Sequence, residues 1–250
     1  MEKIRLDALL VERALAPSRV RAQALVLAGR VLVDGQKIEK PGTAVHSNAG
    51  LRLLGDPQRY VSRGGEKLEA ALLHWSIALE GRLCADIGAS TGGFTDCMLQ
   101  HGAARVTAVD TGYGQIAQSL RDDPRVSLLE RTNARYLEPG SLPAGISFLG
   151  MDVAFISATL VFPPVLAALR NADGAASAPL EVVILVKPQF EAGREHVGKG
   201  GIVRDPAAHQ LAIDRVRTVV ESLGGLGADL IPSPLLGAEG NREFLLYARF

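Results

Sequence analysis

Apolar positions along this chain follow two different rhythms. Near the start, Leu6, Leu9, Leu10 and Val11 form a helical stripe, and after Pro17-Ser18 a second helix is expected on Val20, Ala24, Leu25 and Leu27. Gly29 suits the end of that helix, and Val31-Leu-Val-Asp-Gly-Gln-Lys-Ile38 reads as a hairpin closed by Asp-Gly. Beyond the Gly55-Asp56-Pro57 turn the rhythm changes. Apolar runs of strand length at 83–87, 106–109, 126–129, 147–155 and 182–186 alternate with helical patterns at 93–100, 115–121 and 157–170. That alternation predicts an α/β body, a parallel sheet covered by helices on both faces. The last run, 243–250, follows a loop too short for a helical crossover and is expected to pair antiparallel with a neighbour.

Composition narrows the picture. The chain has 250 residues, 47% of them hydrophobic, which is ample for a folded core. No apolar run approaches the roughly 20 residues of a membrane helix. The start is charged and lacks an apolar leader, so a cytoplasmic protein without a membrane contact is expected. Lys plus Arg equal Asp plus Glu at 27 each, but the balance is uneven along the chain. Through Tyr60, ten basic residues face six acidic ones, giving +4, and the remainder carries −4. Division at that point, into 1–60 and 61–250, predicts a small polyanion-binding head and a larger ligand-binding body. Arg5, Arg13, Arg19, Arg21 and Arg30 are the head's candidates for gripping phosphates. Cys84 and Cys97 read as small core residues, and the scattered histidines predict no metal site.

The chemistry concentrates at strand ends. Asp86-Ile-Gly-Ala-Ser-Thr-Gly-Gly-Phe-Thr-Asp96 follows a strand and opens a helix, where small residues let backbone approach a ligand. Its spacing is not the dinucleotide fingerprint, and no lysine follows the glycines, which excludes a P-loop. Asp86, Gly88, Ser90, Gly92, Gly93 and Phe94 are candidate ligand contacts; Asp110, ending the next strand, suits a ribose diol, and Asn133 an adenine. Tyr113 is a weaker candidate for the same pocket. Lys187 ends the run 182–186, where a lysine is expensive to bury without a purpose. The segment 193–204, with Arg194, Lys199 and Arg204, reads as a mobile basic loop.

Three resemblances organise these signals. The order Arg5-Leu-Asp, Ser18-Arg19 and Ala28-Gly-Arg-Val-Leu-Val-Asp-Gly35 is similar to the alpha-L RNA-binding fold first named for a small-subunit ribosomal protein. The glycine loop with Asp110 resembles S-adenosylmethionine sites of Rossmann-like class I methyltransferases, which implies S-adenosyl-L-methionine as cofactor and makes Asp152 a second cofactor neighbour. Lys67, Asp152, Lys187 and Glu243 match the Lys-Asp-Lys-Glu tetrad of the FtsJ-like ribose 2′-O-methyltransferases. Lys187 is then the expected base, Asp152 and Glu243 its orienters and Lys67 a second positioning cation.

The whole arrangement, with Ser62-Arg-Gly-Gly-Glu-Lys-Leu68, Glu130-Arg-Thr-Asn-Ala-Arg135, Val186-Lys-Pro-Gln-Phe-Glu191 and Gly201-Ile-Val-Arg-Asp-Pro206, resembles the TlyA family. The resemblance implies methylation of a cytidine ribose in ribosomal RNA, with RNA or a ribosomal subunit as partner. Two features depart from the family pattern: Ala154 stands where members usually carry a serine, and no extension follows Phe250, which favours large-subunit over small-subunit RNA. The competing readings are an RNA-binding protein without catalysis, a membrane-active haemolysin and a nicotinamide-linked oxidoreductase.

Overall fold

A computed structural model describes residues 3–16, 18–54, 59–170, 179–237 and 240–250, and the chain divides into two compact units, Met1–Gln58 and Arg59–Phe250. The Gly55-Asp56-Pro57 turn and Pro17 lie outside the described residues.

The smaller unit starts with strand β1 (Lys3–Arg5) and helices α1 (Leu6–Glu12) and α2 (Arg19–Leu27). The strands β2 (Val31–Val33), β3 (Gln36–Lys37), β4 (Ala44–His46) and β5 (Leu51–Leu53) follow. β1 pairs antiparallel with β4, and β2 lies between β3 and β5. Ser18 starts α2 by accepting the Arg21 N–H at 3.3 Å. At the other end the N–H groups of Gly29 and Arg30 donate to the carbonyls of Val26 and Leu25, with Gly29 at φ +64°. That is the Schellman arrangement, which needs a left-handed residue at this point. Asp34 and Gly35 both have positive φ, as a two-residue hairpin requires.

The helical stripes need correction. Leu6, Leu9 and Leu10 are fully buried, but Val11 is exposed. On α2 the core face is Ala22, Leu25 and Val26, while Val20, Ala24 and Leu27 lie on the outer face. Periodicity alone admits either face, and contact with α1 selects the first.

The larger unit opens with α3 (Gly64–His74) and continues through β6 (Leu83–Ile87), α4 (Gly93–Gln100), β7 (Arg105–Val109), α5 (Gln118–Arg121) and β8 (Val126–Leu129). Then come β9 (Ile146–Met151), α6 (Ala158–Leu169), β10 (Glu181–Val186) and the single-turn α7 (Pro188–Glu191). Helix α8 (Pro206–Ser222) and strands β11 (Leu226–Pro232) and β12 (Phe244–Arg249) complete it. The seven strands form one sheet in the order β11-β12-β10-β9-β6-β7-β8. β12 is antiparallel to both β10 and β11, as expected for the last run, and the remaining pairings are parallel.

One side of the sheet packs on α3 and α4 through Leu68, Ala71, Phe94 and Met98; the other packs on α6 and α8 through Phe162, Val165, Ala212 and Val216. The chain runs outward from β6 to β7 and β8, then returns to place β9 on the opposite side of β6. A crevice opens at such a reversal, beyond the carboxyl ends of the strands.

Two expected boundaries differ. The strand expected at 147–155 ends at Met151, because the Asp152 N–H crosses to the Ile87 carbonyl at 2.9 Å and Phe155 takes φ +64°. The helix expected at 115–121 is only the turn α5. Helix α8 and strand β11 have no counterpart in the sequence reading. α8 nonetheless carries a plain start signal: Asp205 accepts the Ala207 N–H at 2.9 Å and Pro206 takes the first turn.

Candidate active site

The sheet gathers the candidate residues on one edge. Asp86 and Gly88 come from the end of β6, Asp110 follows β7, Asp152 follows β9 and Lys187 follows β10. Glu243 precedes the antiparallel β12, so its amino end lies at the same edge. Lys67 comes from the first turns of α3.

These residues form two ion pairs. Lys187 Nζ lies 2.5 Å from Asp152 Oδ1, and Lys67 Nζ donates to Glu243 Oε2 at 2.5 Å. All four side chains are largely withdrawn from solvent, at 12%, 21%, 12% and 3% exposed for Lys187, Asp152, Lys67 and Glu243. Ion pairs in a partly dry crevice hold their geometry better than surface pairs. Glu243 is fixed further by its carbonyl, which accepts the Ser233 N–H at 2.9 Å, and by Gly237, where a Cβ would collide with its carboxylate.

Two cavities meet at the glycine loop. The first, about 250 Å³, is lined by Gly88, Ser90, Asp110, Asn133, Asp152 and Phe155 among others. The second, about 330 Å³, is lined by Arg63, Lys67, Asp86, Phe94, Asp152 and Lys187 and also by Gly88, Ser90 and Gly93. Gly88, at φ +87°, lies against the Asp152 carbonyl, where a Cβ has no room. Gly93 is similarly filled by Ser62 and the backbone of Gly65. Gly92 lines neither cavity; Leu120 and Ile116 occupy the space of its missing side chain, so it serves packing.

The two carboxylates of the loop differ. Asp110 accepts the N–H groups of Ser90 at 2.7 Å and Gly112 at 2.6 Å, one on each oxygen, which shapes the loop and leaves lone pairs toward the first cavity. Asp86 is fully buried; Oδ2 accepts both the N–H and the hydroxyl of Thr95, and Oδ1 has no hydrogen-bond partner among the described residues. Burial, reinforced by the negative charges of Asp152 and Asp110, pushes this carboxyl up to about 7 against the pull of Thr95. A buried oxygen left unsatisfied in a cavity wall fits a ligand that brings its own donor or positive charge.

Other expected contacts are placed as follows. Phe94 is buried against Gly150 and lines the second cavity. Asn133 caps a short turn by accepting the Arg135 N–H at 3.0 Å while lining the first cavity. Tyr113 is two-thirds exposed and carries Arg131 over its ring at 4.3 Å. The segment 193–204 is folded into two short 3-10 turns, and buried Asn241 ties it to the start of β12 by accepting from Val203 N–H and donating to the Gly201 carbonyl.

Sequence reasoning missed Phe155 and Glu191. Phe155 is 93% exposed, in a left-handed conformation, on the rim of the first cavity and 5.6 Å from the Phe190 ring. Glu191 is buried; it accepts from Ser157 Oγ and from Ala158 N–H at 2.6 Å, and burial raises its carboxyl. It ties the turn after Lys187 to the loop after Asp152. In the smaller unit, Arg5 and Arg19 pair with Asp7, Arg13 donates to the Ser47 carbonyl at 2.5 Å and Arg30 to the Leu54 carbonyl at 2.9 Å. Arg21 lies near the start of α2 and is half-buried.

A seven-stranded sheet with one antiparallel strand, carrying a Lys-Asp-Lys-Glu set on its ligand edge, defines the class. Residues 60–250 match the FtsJ-like methyltransferase family and residues 4–50 the S4 domain, so this chain belongs to the FtsJ-like methyltransferases. More narrowly, it belongs to the TlyA family. It is 45% identical over 248 residues to the 16S/23S rRNA (cytidine-2′-O)-methyltransferase TlyA of Mycobacterium tuberculosis, covering 99% of this chain and 90% of the relative. Hemolysin A of Brachyspira hyodysenteriae is 38% identical, with 98% and 99% covered. The solved structure of a hemolysin-named protein from Streptococcus thermophilus superposes with TM-score 0.73 at 42% identity, covering 100% of this chain and 89% of that one. Among the described residues no helix is long and apolar enough to cross a membrane.

Proposed function

We propose that this protein transfers a methyl group from S-adenosyl-L-methionine to the ribose 2′-hydroxyl of a cytidine in ribosomal RNA. The observation that carries the reading is the tetrad, joined as two ion pairs beside the glycine-loop cavities. The names borne by its relatives from M. tuberculosis and B. hyodysenteriae differ, and the ion-paired tetrad supports the methyltransferase name over the haemolysin one.

The cavities fit the cofactor. Asp86, with its unpartnered Oδ1, suits the ammonium of the amino-acid end, Gly88 and Gly93 let the loop pack closely against Asp152 and Gly65 where it lines the cavities, and Asp110 and Asn133 suit the ribose and the adenine. When bound, S-adenosylmethionine supplies a methyl group on a sulfonium centre, which a ribose oxygen can attack.

The chain's own residues supply orientation and proton handling. A ribose hydroxyl is a weak nucleophile at neutral pH, so the site must hold it in line and take its proton. In its free amine form Lys187 Nζ accepts that proton and becomes the ammonium partner of Asp152, which fixes its position at 2.5 Å. Lys67, held by Glu243 at 2.5 Å, donates to the ribose oxygens. Exposed Phe155 offers a face on which an unstacked base can rest. Residues 1–60, with Arg5, Arg13, Arg19, Arg21 and Arg30, hold flanking RNA, and residues 61–250 perform the transfer; no metal is required by this scheme.

The test is transfer of labelled methyl to separately prepared small and large ribosomal subunits, with mapping of the modified ribose. Label on a single cytidine ribose is expected, reduced about 10²- to 10⁴-fold by Lys187→Ala at unchanged cofactor affinity. Undiminished transfer by the folded Lys187→Ala protein would remove Lys187 from its role. Absence of label on both subunits, with cofactor bound, would refute the substrate.

A further inference from the structure

Three cations line the larger cavity, and they are not equivalent. Lys67 and Lys187 each face a carboxylate at 2.5 Å. Arg63, immediately before α3, also lines this cavity, yet among the described residues its guanidinium makes no hydrogen bond and no ion pair. It is exposed, whereas Asp86, which lines the same cavity, is fully buried. The cavity therefore has a deep, acidic end and an open end carrying an uncompensated, permanently charged fork.

The substrate's chemistry supplies a partner. In an RNA chain the carbon next to the one bearing the 2′-oxygen carries the 3′-phosphodiester. Whenever the 2′-oxygen of an internal nucleotide enters this cavity, a phosphate anion is brought to its mouth. Resting on the function proposed above, we infer that Arg63 binds the phosphodiester on the 3′ side of the target ribose and so sets which hydroxyl faces Lys187. Guanidinium and phosphate pair in two parallel hydrogen bonds, which fixes orientation as well as position. An anion at the mouth also discriminates an internal nucleotide from a free nucleoside, which has no such phosphate. The rival ligand for Arg63 is the carboxylate of the cofactor's amino-acid end. Its exposure argues against that, since the unpartnered oxygen that fits the cofactor's ammonium is at the buried end.

The experiment compares the full chain with Arg63→Gln and Arg63→Lys, reading methyl transfer to ribosomal subunits across a potassium chloride series, cofactor affinity by titration and folding by thermal melting. Loss of one phosphate contact is expected to lower kcat/KM about tenfold for Arg63→Gln and to flatten the log–log salt dependence by about 0.7 to 0.9. Arg63→Lys keeps the wild-type salt slope, and both variants melt with the wild type and bind cofactor as tightly. An unchanged slope for a folded Arg63→Gln protein overturns the inference, and weakened cofactor binding with an unchanged slope assigns Arg63 to the cofactor's carboxylate instead. Should Arg63→Gln melt early, a flattened slope for Arg63→Lys, which keeps the charge, overturns the inference by itself. If the wild type labels neither subunit, the proposed function fails and this inference with it; if the wild type is active and only the slope is unmoved, this inference fails alone.

Discussion

Asp7 in the smaller unit and Asp86 in the larger are both wholly withdrawn from solvent, yet their surroundings treat them in opposite ways. Asp7 is covered by the groups that satisfy it. Arg5 donates to both of its oxygens, Gln23 donates at 2.9 Å and Arg19 lies at 3.4 Å, so its carboxyl is held well below the usual carboxylate range. Asp86 is inside the sheet, with Thr95 on one oxygen and nothing among the described residues on the other, and burial pushes it up to about 7. A buried charge with a full set of partners stabilises a fold; one with a partner missing reserves that place for a ligand.

The comparison can be broken at several points. The largest effect is expected from Gly88→Ala, which would press a methyl group into the Asp152 carbonyl at a left-handed φ. Turnover should fall more than 100-fold, with about 1–3 kcal/mol lost from the larger unit's stability. Wild-type rates in that variant would show that the loop tolerates displacement.

Asp86→Asn should weaken cofactor binding about 10- to 100-fold, read by titration calorimetry. Its effect on stability has the opposite sign. The folded-state carboxyl titrates near 7 and the unfolded one near 4, so the folded state binds the extra proton between those values. Stability then falls as pH rises through about 4 to 7, and the wild type carries the full penalty above 7. Asp86→Asn should therefore melt higher than wild type at pH 8, and the gain should vanish near pH 4. A lower melting temperature at pH 8 would mean that Asp86 has a partner in solution.

Asp7→Asn gives the mirror image. Its depressed carboxyl contributes stability above the unfolded value near 4, lost as pH falls below it. Replacement should destabilise the smaller unit by about 1–2 kcal/mol at pH 7, since the arginines are more than half exposed and well screened. Cofactor affinity should not move. Smallest of all, Phe155→Leu should raise KM for the RNA a fewfold, leaving cofactor affinity and melting temperature unchanged.

Much of the larger unit was legible because strand-length apolar runs and a glycine loop report directly on a parallel sheet. Lys187 after five apolar residues could be placed at the ligand edge from sequence alone. Lys67 and Glu243 could not be brought together that way: they are 176 residues apart, and only the antiparallel return of β12 joins them. Phe155 was hidden because an exposed aromatic ring and a left-handed backbone leave no periodic trace. Glu191 sat within a recognisable motif, but its role depends on which loop α7 meets. The short pair β1–β4 was illegible for a similar reason, since three residues are too few to establish a rhythm. In α2 the helix was seen, but of its core face only Leu25 was named, and Ala22 and Val26 were not.

The position of β12 in the sheet has a consequence for how the protein is made. It is the last strand in chain order, yet it lies between β10 and β11 and is bonded to both. While the polypeptide is still growing, β10 presents an open edge and Lys67 lacks its carboxylate, even after the glycine loop has formed. Synthesis from the amino end thus makes the glycine loop and the Lys187–Asp152 pair before the Lys67–Glu243 pair. On the proposed function, the nascent chain lacks a complete tetrad until Glu243 and the residues of β12 have left the translating ribosome.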